Sequence, residues 1–112
     1  MIFFFFFSSY KGPFANSVTK VNVETGETLA WHGGDEFCHP AEAVFIPRTS
    51  TSGSASEAED DGVVVASVTN VNPDQKDFLV FLEAQTMKEI GRAHFDESIP
   101  FASHTYLSKY DA

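Results

Sequence analysis

The sequence predicts an all-β fold, a meander of antiparallel strands joined by short turns. Two observations carry this. Runs of β-branched and aromatic residues either alternate with polar ones or continue nearly unbroken over strand lengths. Between them stand turn formers at short intervals, such as Glu24-Thr25-Gly26-Glu27 and Asn72-Pro73-Asp74. This is the pattern of an all-β sandwich or of propeller blades.

The elements follow in order. Ser17 to Val23 alternates, with Thr19, Val21 and Val23 on one face and Val18, Lys20 and Asn22 on the other. Gly26 is free to take positive φ in the turn that follows. Thr28 to His32 then returns with Leu29 and Trp31 on one face, completing a hairpin. His32 to Pro40 reads as a loop, and Ala43 to Ile46 as a short strand bracketed by Pro40 and Pro47. Residues 48–61 are small, polar and increasingly acidic, the composition of a flexible surface loop. Val63 to Val71 and Phe78 to Leu82 are nearly continuous apolar runs, as expected where both faces of a sheet are covered. Glu89 to Phe95 alternates, with Ile90, Arg92 and His94 sharing a face, and reads as an edge strand; Gly91 argues against a helix opening at Met87. A unit with both faces apolar leaves surfaces that neighbouring elements normally cover, so the chain reads as part of a larger structure.

Length and charge narrow the function. The 112 residues allow one domain, and an apolar fraction of 43% permits a modest core. A net charge of -9 argues against nucleic acid and anionic membrane surfaces as partners. The single cysteine, Cys38, excludes an internal disulfide framework and reads as a buried free thiol. The N-terminal MIFFFFFSSY is too short for a signal-peptide core and far too short to cross a bilayer, so a cytoplasmic location is expected. Residues 1–15 read as a Phe-rich low-complexity segment outside the fold, leaving residues 16–112 as the folded part.

No compact metal or nucleophile motif is present. His32, His39 and His94 read as exposed or loop histidines. The acidic run Glu57, Glu59, Asp60 and Asp61 lacks the spacing of a calcium loop and reads as a solvated turn. His104 stands apart because Ile99-Pro100-Phe101-Ala102-Ser103 is an apolar lead-in that would carry it inward. A hydrogen-bonded core histidine and a metal ligand both fit that setting.

From about Ser17 to Tyr106 the chain resembles the C-terminal end of the carotenoid cleavage oxygenases, the carotene-cleaving and retinoid isomerohydrolase type of animals. The stretches are VTKVNVETGETLAW, HPAEAVFIP, EDDGVVVASV, FLVFLEAQTMKEIGRAHF and IPFASH, in the family's order and with similar spacing. The resemblance implies the last blades of a seven-bladed β-propeller with a non-haem Fe(II) on its axis, held by four histidines. It aligns His104 with one iron ligand, and Glu42 with an outer glutamate that orients a ligating imidazole. It implies oxidative cleavage of carotenoid or apocarotenoid double bonds with O₂, and leaves membrane association of the complete enzyme open. Ala43 stands where the family usually has proline, and Thr105 where it has glycine. Met1 to about Pro13 resembles nothing in the family, and His32, His39 and His94 do not fall on its ligand positions. With one ligand of four, the chain is expected to be inactive alone. The alternative is a non-catalytic β-domain that acts as a binding module.

Overall fold

The computed structural model describes residues 2–7, 16–33, 38–49, 58–100 and 104–108. Among these the chain is all-β, with antiparallel pairing throughout and no helix. Strands β1 (Ile2–Phe7), β2 (Ser17–Asn22) and β3 (Thr28–His32) form one sheet in that order. A second sheet has the order β4 (Cys38–Pro40), β6 (Gly62–Asn70), β7 (Phe78–Glu83), β8 (Glu89–His94), and β5 (Val44–Pro47) also pairs with β6.

The β2–β3 hairpin is the predicted one. Gly26 takes φ +77°, and the Asn22 side chain accepts the amides of Glu24 and Thr25, which ties the turn to the strand end. Two expectations need correction. Ile2–Phe7, set apart from the fold, pairs along β2 from Ile2↔Asn22 to Phe7↔Ser17. A strand that is almost entirely phenylalanine has no period to read, but its backbone groups still complete the free edge of β2. The predicted loop from His32 to Pro40 likewise ends in β4, where Cys38 pairs with Asn70 and Pro40 with Val68.

The core lies between the two sheets. Burial along β6 alternates strictly, with Val64, Ala66 and Val68 inward and Val63, Val65, Ser67 and Thr69 only half-buried. β7 repeats this, with Phe78, Val80 and Leu82 inward. The expectation of two covered faces is therefore met on one face, because β2 and β3 cap only that side. Trp31 meets Phe78 edge to face with ring centroids 6.5 Å apart, and Val18 packs into the same cluster. Cys38 is buried there in no disulfide, as anticipated, and its sulfur accepts from the Asn70 side-chain amide at 3.7 Å. The close approach of β3 to β4 requires Gly33, since a Cβ at that position would lie 2.3 Å from the Cys38 Cβ.

The acidic stretch is more than a solvated turn. Lys20, 8% exposed in its side chain, pairs with Asp60 at 2.6 Å and donates to the Gln85 carbonyl. The ammonium beside Asp60 holds its carboxyl below the usual carboxylate range, against the opposing effect of burial. The Ile2 amide donates to Glu59, so the turn clasps one sheet to the other. Arg48 and Asp61 close the base of the acidic loop through a backbone and a side-chain contact. Most of the loop expected over residues 48–61, at 50–57, lies outside the described residues.

At the other edge β8 is a terminal strand, as its polar alternation predicts. The β7–β8 turn places Met87 at φ 60° with its side chain buried, a conformation that L residues other than Asn and Asp seldom take. Arg92 lies over the Phe78 ring, 4.3 Å from its centroid. Glu89 accepts from Arg92 and from the Trp31 indole, and these contacts keep its carboxyl acidic.

Candidate functional site

The edge of β6 opposite β7 carries two short strands rather than one long strand. β4 pairs with its C-terminal half and β5 with its N-terminal half. Pro40 brings no amide, and just past it the Ala41 amide donates to the Ser67 carbonyl. The chain then leaves the ladder at Glu42 and Ala43 and rejoins it at Val44. The break turns Glu42 outward from the sheet edge, with its side chain 42% exposed.

The segment after β8 returns across this edge. The Phe95 amide donates to the Asp77 carbonyl at 2.9 Å, and the Ile99 amide to the Asp77 carboxylate at 2.7 Å. His104 and Thr105 then reach Glu42. His104 Nδ1 lies 3.3 Å from Glu42 Oε2, and the Thr105 amide donates to the same oxygen at 3.1 Å. The Thr105 amide above all, then the imidazole, lowers the Glu42 carboxyl from its ordinary value.

The fold thus brings together the two residues singled out in the sequence, although they are far apart in the chain. Their setting differs from the expectation. The apolar lead-in does not bury His104, whose side chain is 87% exposed. Its one described side-chain partner is a surface carboxylate, and among the described residues no apolar group closes over the ring. An imidazole at the surface also keeps the hydration it would lose in a core. Thr105 adopts negative φ, because Met87 is the sole non-glycine with positive φ among the described residues. The exchange of glycine for threonine therefore carries no backbone strain here.

The other histidines lie elsewhere. His32 is exposed at the end of β3, His39 is half-buried on β4, and His94 packs against Phe78 with ring centroids 5.5 Å apart. Among the described residues no group of three or more His, Cys, Asp or Glu side chains could hold a metal ion. A contribution missed in the sequence is that of Asp77, 4% exposed and bonded to three backbone amides. An aspartate just before a strand reads as a turn residue, so its reach across to Ile99 leaves no sequence signal.

The all-β chain matches a known protein family over nearly its whole length. The retinal pigment epithelial membrane protein family matches residues 2–106, and the chain belongs to it. The match begins at residue 2, so it takes in the Phe-rich segment that the motifs alone left outside. Among curated relatives, the β,β-carotene 15,15'-dioxygenase of Gallus gallus is 42% identical over 81 residues, 72% of this chain and 14% of that protein. A carotenoid dioxygenase of Neurospora crassa is 35% identical over 94 residues, 84% of this chain and 14% of that protein. Torulene dioxygenase of Fusarium fujikuroi is 34% identical over 89 residues, again 14% of that protein. The chain therefore spans about a seventh of the length of these relatives. Among the described residues no helix is long and apolar enough to cross a membrane.

Proposed function

We propose that this chain is the C-terminal part of a non-haem Fe(II) dioxygenase that cleaves carotenoid or apocarotenoid double bonds with O₂. Its strands are then the last blades of a seven-bladed propeller. His104 is one of four iron-holding imidazoles, and Glu42 is the carboxylate behind it. The observation that carries this reading is the 3.3 Å approach of His104 Nδ1 to Glu42 Oε2. A carboxylate at Nδ1 keeps the proton on that nitrogen and leaves the Nε2 lone pair to face a metal. The exposed ring leaves Nε2 open to approach, and a neutral imidazole suits Fe(II).

When bound, the iron supplies the activation of O₂ for oxidation of a conjugated double bond to carbonyl products. This chain's residues contribute position and proton placement. Glu42 holds the proton at Nδ1 and fixes the ring plane, while the Thr105 amide fixes the carboxylate. One imidazole does not retain Fe(II) against water, so the 112-residue chain by itself holds no stoichiometric iron and cleaves no carotenoid. The cytoplasm is the proposed location.

A chimera tests the assignment. Residues 17–106 would replace the corresponding segment of the Gallus gallus enzyme, with iron content and β-carotene cleavage as readouts. The chimera is expected to keep both, His104→Ala to lose both, and Glu42→Gln to cost about 10–100-fold in activity or iron affinity. A folded His104→Ala chimera with full iron would overturn the role of His104. Stoichiometric iron in the isolated chain would overturn the one-ligand reading.

A further inference from the structure

We propose that Asp77 is a positioning residue for the Glu42–His104 pair, an inference that rests on the reading of that pair as the functional site. Asp77 touches neither residue. It acts through the segment that leads to His104.

Three backbone amides from three parts of the chain converge on this one buried residue. Oδ1 accepts the Asn70 amide at 2.8 Å, at the end of β6. Oδ2 accepts the Ile99 amide at 2.7 Å, shortly before His104. The main-chain carbonyl accepts the Phe95 amide at 2.9 Å, at the exit of β8. Two bonds to different oxygens of one carboxylate, short and charge-assisted, hold that group rigidly. Asp77 is itself the residue before β7 and is 4% exposed, so it moves only with the sheet.

The consequence concerns reach. Between Phe95 and His104 the described residues form no regular strand, and the tail leaves β8 at the edge away from Glu42. Its path back is fixed at both Phe95 and Ile99 by Asp77. From there the Thr105 amide and the His104 ring need only the last few residues to meet Glu42 Oε2. Without the Ile99 contact, the described anchors of the tail before His104 are the Phe95 amide and the exposed Lys76–Asp96 pair. The conformational freedom so released works against a contact made at the surface by two hydrogen bonds. An asparagine cannot replace the carboxylate, because its amide nitrogen has no acceptor to offer one of the two N–H groups.

Amide hydrogen exchange and ¹⁵N spectra of the 112-residue chain test this, with pH held about two units above the ordinary imidazole value. In Asp77→Asn the Thr105 amide is expected to exchange at least about tenfold faster, the scale of a hydrogen bond to a charged group. The His104 ring nitrogens should shift toward the tautomer mixture of a free peptide. Val64, Val80 and Leu82 amides should keep their protection. Ile99→Pro removes the donor while leaving the Asp77–Asn70 contact intact, and it should produce the same two changes. If Asp77→Asn unfolds the sheet, Ile99→Pro decides alone. Wild-type Thr105 exchange and wild-type His104 ring signals in Ile99→Pro would overturn the proposal. Neither measurement uses iron or carotenoid, so the positioning role and the iron assignment fail separately.

Discussion

The β6–β7 hairpin and the Glu42–His104 pair are built on opposite physical terms. In the hairpin, Val64, Val68, Phe78, Val80 and Leu82 expose 1% of their surface or less, and each strand has a hydrogen-bonded neighbour on both sides. The pair sits where a sheet edge breaks, and its two known contacts converge on a single carboxylate oxygen in contact with solvent. Burial makes the first region insensitive to its surroundings. The second depends on what brings the tail to it, and its imidazole stays open for a further ligand. Stability and the proposed site are thus placed in different parts of the chain.

Substitutions can break that contrast, and the largest effect belongs to the hairpin. Phe78→Ala removes the ring between Trp31 and Arg92 and is expected to cost about 3–5 kcal/mol in chemical denaturation. A loss comparable to that of a surface change would mean that the sheets do not pack on this face.

The clasp between the sheets comes next. Lys20→Ala removes the cation paired with Asp60 and should cost about 1.5–3 kcal/mol at neutral pH. Its pH dependence gives the sharper test. The Asp60 carboxyl is lowered in the fold, so its contribution is present above the ordinary aspartate value and fades as pH falls through the lowered one. The Lys20→Ala penalty should therefore shrink below pH about 4, where the carboxylate of the unfolded chain begins to protonate. A penalty constant from neutral pH to pH about 2 would exclude the ion pair as its source.

His104→Ala should be the smallest, within about 0.5 kcal/mol in the same denaturation experiment, because the ring is exposed. A large loss there would move His104 from the open site into the packing of the fold.

The sequence revealed the regions unequally, and for physical reasons. β2, β3 and β5 to β8 carry alternation or apolar runs long enough to register, and Gly26 marks its turn by a backbone need that few residues meet. β4 spans three residues and β1 is mostly one residue type, so neither has a period. Their pairing is set by the edges of β6 and β2, which is tertiary information. The nearly unbroken apolar runs of β6 and β7 suggested two covered faces, but a run cannot say which of its faces has a neighbour within this chain. Flanking motifs singled out Glu42 and His104, but neither the exposure of His104 nor the hydrogen bonds of Asp77 left a sequence signal. Lys20 shared a strand face with Val18, but nothing in that pattern told that its partner lay in the acidic turn before β6.

The interruption between β4 and β5 has a bearing on solubility as well as on the site. A long strand there would offer an unbroken row of amides and carbonyls to any passing extended chain. Here Pro40 brings no donor, Glu42 turns out with its charge, and Pro47 ends the second strand. A neighbouring chain could pair with no more than a few residues before meeting a proline or a carboxylate. The same kink that frees Glu42 for His104 therefore blunts an edge on which aggregates would otherwise grow.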